Sequence, residues 1–298
     1  MLSVCIPVYN HDVRRLVEEL LQMSASIDDA VEIVCIDDCS DASFHVLNSE
    51  LSDRITYVRL EANVGRSRIR NLFTQYAKGE VMLFLDCDVR FPDTDFLKRY
   101  LDAYHRCGMK EVVIYGGKCY QPTNEKCQQL KYNYAIKNEC RSIAERQKDP
   151  YRSFITTCFM ISRSVFDKVS FDERIVSYGH EDTLFGFCLL KKGIPILHID
   201  NNVLIVIDED DTRFLKKSEE AVHTLAYIYT ALMQRDKEFA ADVRLLSFYE
   251  RLNRYGLSPI LVCVFSIVRK PLRFLLLHGV TNSKVFNFYK LGVLLMSF

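Results

Sequence analysis

The chain has 298 residues, about half of them apolar, and its 39 Lys and Arg balance its 39 Asp and Glu. That length and apolar content exclude a disordered chain and allow one large core, or a core with a smaller appended unit. A formal charge of zero excludes a broad basic field, so no nucleic acid partner is expected and specificity must come from local groups. The eleven cysteines are scattered, some inside apolar runs as Cys35 is in Val31 to Ile36, and they lack the paired spacing of a zinc site. Reduced thiols in a cytoplasmic protein are the expectation. The start agrees, since Met1 to Ile6 run straight into a strand pattern with no charged leader and no cleavage site.

In chain order, Leu2 to Ile6 reads as a strand that ends at the Pro7-Val8-Tyr9-Asn10 turn. Val13, Leu16, Val17, Leu20 and Leu21 follow helical spacing, with Asn10 or Asp12 placed to cap the start. Val31 to Ile36 is a second strand and runs into Asp37-Asp38-Cys39-Ser40-Asp41. Ile55 to Leu60 is a third, followed by a helix beginning near Gly65 that carries Arg66 and Arg70 on one face. Val81 to Leu85 is a fourth, followed by Asp86-Cys87-Asp88, and Val112 to Tyr115 is a fifth. Strand and helix in alternation predict right-handed crossovers and a mostly parallel twisted sheet flanked by helices, a Rossmann-like α/β fold that binds ligands at strand carboxyl ends. The acidic and turn residues fall at those ends. In extended chain Asp86 and Asp88 point to one side, so a divalent cation held there could bridge a diphosphate. Each piece also has an ordinary reading: Asp and Ser shape turns, Arg-rich helices face solvent, and Tyr9 can be a packing residue.

Taken together and in order, Ser3 to Asn10, Ile36 to Asp41, Asn63 to Asn71, Phe84 to Asp88 and Tyr178 to Asp182 resemble the motifs of glycosyltransferase family 2. The resemblance covers about the first two hundred residues and implies a GT-A catalytic domain. It implies that Pro7, Tyr9, Asn10 and Asp38 line the nucleoside pocket. It places Asn63, Gly65, Arg66, Arg70 and Asp86 around the rest of the donor, where the two arginines hold the diphosphate or order the site. Asp88 would ligate Mn²⁺ or Mg²⁺, with Asp86 on the ribose or the metal's waters. Asp182 would be the base of an inverting transfer and Glu181 would orient the acceptor; adjacent acids also suit a helix N-terminus, here before Thr183 to Lys191. The implied partners are a nucleotide-sugar donor, UDP-linked by expectation, and a glycan or lipid-linked acceptor. One departure is Ile205, at a position where similar chains often carry a histidine two residues past a His-Ile-Asp-Asn-Pro run; here the run is His198 to Asn202, and His198 itself reads as structural. A receiver domain would place its acidic pair after the first strand, and a nucleotidyltransferase would carry a Gly-rich basic loop there. Neither is present; a nucleotide-sugar binding protein without turnover stays open because of Ile205.

These readings divide the chain into a catalytic domain over 1–207, with a donor half over 1–117 and an acceptor half over 118–207, and a helical region over 208–298. Asp208 to Asp211 form an acidic link, and helices are expected over Phe214 to Arg235 and Phe239 to Tyr255. The last forty residues are apolar with a basic interruption at Arg269-Lys270-Pro271-Leu272-Arg273. Pro259 and Pro271 are expected to break helices there, and no run is long enough to span a bilayer. An anchor at the inner face of the cytoplasmic membrane, a homodimer contact and a simple cap on the core are the three readings of this segment.

Overall fold

The computed structural model describes residues 1–108 and 111–298. Its strands are β1 (Leu2–Val8), β2 (Val31–Asp37), β3 (Thr56–Arg59), β4 (Val81–Leu85), β5 (Val89–Arg90), β6 (Val113–Tyr115), β7 (Lys118–Tyr120), β8 (Cys158–Ser162), β9 (Ile196–His198) and β10 (Val203–Ile205). The helices of the first half are α1 (Arg14–Ser24), α2 (Ala42–Ser49), α3 (Arg66–Tyr76), α4 (Phe96–Cys107), α5 (Gln129–Asn138) and α6 (Ile143–Lys148). Then follow α7 (Arg163–Phe166), α8 (Glu181–Lys191), α9 (Asp211–Tyr227), α10 (Lys237–Asp242), α11 (Arg244–Arg254), α12 (Ser258–Leu277) and α13 (Ser283–Leu295).

Seven strands form the central sheet in the order β3-β2-β1-β4-β8-β6-β9. The ladders β2–β3, β1–β2, β1–β4 and β6–β9 are parallel, and β8 runs antiparallel between β4 and β6. Side chains alternate between the two faces as the period of a strand requires. Val4, Ile6, Leu83, Leu85 and Met160 join one core, with α1 and α4, while Cys5, Met82, Phe84, Phe159 and Ile161 join the other, with α3, α7 and α8. A three-stranded sheet, β5-β10-β7, lies beside it. Its register sets Ile205 against both Val89, the residue after Asp88, and Tyr120.

The C-terminal helices pack on α5 and α8 through a third core that joins Leu130, Ile175, Leu184 and Phe187 to Leu225, Phe265, Tyr289 and Leu294. Here the structure corrects three sequence expectations. The helix foreseen over 214–235 starts at Asp211, capped by Asp210, and ends at Tyr227 in a π turn over Ile228–Leu232. The one foreseen over 239–255 is two, α10 and α11, because Val243 is extended between them. Pro259 and Pro271 break nothing: α12 runs unbroken for 20 residues. Pro259 sits in the first turn, where its missing N–H has no acceptor to satisfy. Pro271 removes the helical donor only from the carbonyl of Ile267, on the exposed side of the helix where Ile267 is 78% exposed. Among the described residues no helix is long and apolar enough to cross a membrane.

Candidate active site

The first two motifs are tied to one another. Asn10, at positive φ, donates its backbone N–H to Ser40 Oγ (2.8 Å) and accepts the Asp41 N–H on Oδ1 (2.7 Å). It therefore joins the loop after β1 to the loop after β2. Neither Asn10 nor Asp12 is the cap of α1, whose N-cap is Val13 with no side-chain cap, and Asp12 accepts from Arg14 N–H at 3.1 Å in the turn before the helix. Asp37 is fully buried, accepting from Ser40 N–H (2.7 Å) and Tyr57 O–H (2.5 Å). Asp38 is 5% exposed and receives Val64 N–H (2.7 Å) and Gly65 N–H (3.1 Å), and Asn63 donates to its backbone carbonyl. Gly65 holds φ +81°, a value that suits glycine, as it turns the chain into α3. A carboxylate has about four acceptor positions, so Asp38 clamps this loop and keeps capacity for a ligand. Tyr9 is 54% exposed beside it, with Pro7 in the last turns of β1.

Asp86 and Asp88 follow β4. Asp86 Oδ1 accepts from Arg70 Nη2 at 2.9 Å. Arg70 itself is 2% exposed, donates to the Arg66 carbonyl and lies 3.9 Å from Glu181 Oε1. Its guanidinium is thus directed at protein carboxylates, and it does not line the cavity. Arg66 is the arginine that reaches the opening: its guanidinium is 3.6 Å from Glu181 and 4.8 Å from the centre of the Tyr178 ring. Asp88 lines the cleft, and among the described residues no ion pair meets its carboxylate, which takes a hydrogen bond from its own backbone N–H. The surrounding protein, and then the Asp86 charge, hold its carboxyl above the usual range. Burial, followed by the charges of Asp88 and Asp86, pushes the Cys87 thiol up to about 12, so it stays protonated.

Glu181 and Asp182 begin α8 after a turn in which Gly179 is at φ +101° and a Cβ there would meet Ala221 Cβ of α9 at 2.5 Å. Asp182 Oδ1 takes the Thr183 N–H (2.7 Å) and the Thr183 hydroxyl (3.3 Å). Because a carboxylate only accepts, His180 Nδ1, 3.0 Å from that hydroxyl, is its donor. Burial and then the Lys290 charge lower His180 to about 4, keeping it neutral. Burial, followed by the Glu181 charge, raises Asp182 to about 6. All of Arg66, Asp86, Asp88, Glu181 and Asp182 line one cavity of about 990 Å³.

Sequence reasoning missed much of the remaining wall. Lys118 meets Glu139 at 2.5 Å, and Tyr120 O–H donates to the same oxygen. Glu209, 6% exposed, is met by Lys217 (2.5 Å), Lys131 (2.9 Å) and Arg213 (3.7 Å). Lys290 of α13 is held over the rings of Tyr134 (4.5 Å) and Phe286 (4.9 Å), with no carboxylate partner among the described residues. The apolar run before Ser162 was the available signal for β8; nothing local marks Lys290. His198 is structural as expected: buried, it donates from Nε2 to the Pro150 carbonyl (3.1 Å) behind the fully buried Arg146. Ile205 is 6% exposed and lines the cavity with hydrocarbon.

Whether these residues fit a divalent metal can be judged from their oxygens. Asp88 is uncompensated and Asp86 keeps Oδ2 free, a hard-donor pair suited to Mn²⁺ or Mg²⁺. Among the described residues no three His, Cys, Asp or Glu gather to hold a metal alone, so the pair fits a metal whose shell is shared with phosphate oxygens and water.

This strand-end acidic site on a mostly parallel sheet is the layout of a nucleotide-sugar transferase. The family model described as glycosyl transferase family 2 matches residues 3–170, and the chain belongs to that family. A 90-residue stretch is 37% identical to an uncharacterised glycosyltransferase of Haemophilus influenzae, covering 30% of this chain and 29% of the relative. Over 241 residues it is 26% identical to the uncharacterised glycosyltransferase YfnE of Bacillus subtilis, 64% of this chain and 61% of the relative. The matches thus span less than two thirds of either relative. Among solved structures, the mannosyltransferase PcManGT of Pyrobaculum calidifontis, in complex with GDP-Man and Mn²⁺, aligns with a TM-score of 0.55 at 14% identity, over 99% of this chain and 85% of that one. Glucosyl-3-phosphoglycerate synthase of Mycobacterium tuberculosis, with Mn²⁺, UDP and glucosyl-3-phosphoglycerate, gives 0.50 at 14%, over 76% and 78%. At such identity the likeness is one of fold.

Proposed function

We propose that the chain is a metal-dependent, inverting glycosyltransferase. It moves a sugar from a nucleotide diphosphate donor, a UDP-hexose or UDP-N-acetylhexosamine, to a hydroxyl of a glycan or lipid-linked acceptor in surface polysaccharide or glycoconjugate synthesis. The observation that carries this reading is that the Asp86–Asp88 pair and the raised carboxyl of Asp182 open into one cavity.

In this reading the nucleoside lies against Pro7, Tyr9, Asn10 and Asp38, on loops already fixed by Asn10, Asn63 and Gly65. Asp88, with Asp86 beside it, would hold Mn²⁺ or Mg²⁺, whose charge would offset that of the departing diphosphate. The acceptor oxygen attacks the anomeric carbon from the face opposite the nucleotide, and its proton passes to Asp182 Oδ2, the oxygen that Thr183 leaves free. The bond from that carbon to the diphosphate breaks, and Arg66 faces the charge that develops. A value near 6 makes Asp182 ionised at neutral pH yet more basic than an exposed carboxylate.

A binding protein without turnover is the competing reading, favoured by the hydrocarbon that Ile205 adds to the cavity that Asp88 also lines. Calorimetric titration of UDP and GDP, with Mn²⁺ and with chelator, on wild type and Asp88→Ala tests the donor site. Metal-dependent UDP binding that the variant loses is expected; equal binding with chelator would remove the metal from the proposal. A screen of UDP-sugars for nucleotide release then separates transferase from binder.

A further inference from the structure

We propose that the outer face of α12 docks the protein on a bilayer surface carrying anionic headgroups. The transfer chemistry does not use this helix face, and its properties are unlike those of the rest of the surface. Ile260, Val264, Ile267 and Phe274 are 60%, 42%, 78% and 59% exposed. Their spacing of four, three and seven residues puts them in one stripe about 20 Å long. Cys263 and Pro271 continue that stripe and are also exposed. Phe265 and Leu276, on the opposite side of the helix, are 1% exposed and anchor it to α13 and the C-terminal core. The stripe is therefore a second apolar face on a helix whose packing face is already used.

Charge identifies what covers it. Residues 251–298 hold seven of the chain's 39 Lys and Arg and none of its 39 Asp and Glu, so the neutral chain is positive over this segment and negative over the remainder. Lys270 lies on the flank of the stripe, with Arg251, Arg254 and Tyr255 exposed just before the helix. A second copy of the same face would bring these cations against one another, with no carboxylate in the segment to pair them. A surface of anionic lipid headgroups over hydrocarbon satisfies both features at once: the stripe enters the acyl boundary, the cations meet phosphate, and the aromatic ring of Tyr255 suits the depth between. The helix lies on the bilayer and does not cross it. Asn287 and Lys290 of α13, which packs on α12, line the catalytic cavity, so docking this face brings that cavity close to the lipid surface.

The test is sedimentation of the full-length protein with vesicles of phosphatidylcholine alone, or with about one third phosphatidylglycerol. Wild type is expected to pellet with the anionic vesicles and to be released by high salt. Ile267→Glu with Phe274→Glu should reduce that binding roughly tenfold or more, and Lys270→Glu by a smaller factor. Because the three side chains are exposed, the variants should keep the wild-type melting temperature and UDP affinity, so failure here is separate from failure of the donor-site reading. Three outcomes would overturn the proposal: no vesicle binding by wild type, equal binding by the double variant, or a wild-type dimer by light scattering that the double variant converts to monomer.

Discussion

The loops after β1, β2 and β3 and the C-terminal helices are built in opposite ways: α13 lines the cavity with Asn287 and Lys290, while Asn10, Asp38 and Asn63 lie outside its lining. Around Asn10, Asp38 and Asn63 the polar groups are satisfied by backbone N–H groups and carbonyls of neighbouring loops, so the shape stands before any ligand arrives. On the helical wall the polar groups are long side chains: three cations converge on Glu209, and Lys290 rests on two rings. The first arrangement fixes position, which would suit the nucleotide that the proposed function puts there. The second is set by side chains that substitution can change without moving the backbone, which would suit the acceptor on the same proposal.

The strongest challenge to this contrast is to remove the helical wall. Truncation after Ile207 strips the partners from Leu130, Ile175, Leu184 and Phe187, and it should abolish a cooperative thermal transition; a truncated protein that melts cooperatively and binds UDP would show the donor half to be independent. Next, Asp182→Asn should lower turnover about a thousandfold with UDP affinity unchanged, and wild-type kcat/KM should fall as pH drops through about 6. The same carboxyl affects stability. Its folded value exceeds the unfolded one of 3.8, so the folded state binds its proton more tightly and stability is lost as pH rises between the two. Asp182→Asn should therefore stabilise at pH 7.5, by about 1–2 kcal/mol, and have little effect at pH 3. Arg70→Met leaves Asp86 without its cation and Glu181 with Arg66 alone, and it should cost about 3 kcal/mol in denaturant unfolding, together with weaker metal-dependent UDP binding. Lys290→Met should be the mildest, slowing transfer about tenfold, the worth of one charged hydrogen bond, while leaving UDP affinity intact. An equal loss of UDP affinity would place Lys290 on the donor side.

The strand-end motifs were readable because their signals are local. Apolar runs of strand length end in Pro7 to Asn10, Asp37-Asp38 and Asp86-Cys87-Asp88, and the sheet lines those ends up at β1, β2 and β4. The helical wall was not readable because its contacts join distant segments: Lys290 meets Tyr134, and Lys131 meets Glu209. Prolines misled where context overrode their propensity. Pro271 lies on the exposed side of α12, a fact of exposure that no local rule contains.

Arg70 leaves a mark on how this chain can change over time. Its one guanidinium contacts Asp86, sixteen positions away, and Glu181, more than a hundred positions away. The two carboxylate motifs are therefore not separate heritable parts. A substitution in either alters the charge balance felt by the other, and their combined effect should depart from the sum of the two alone. Drift at one motif without a compensating change at the other is the route by which such a site would lose its chemistry.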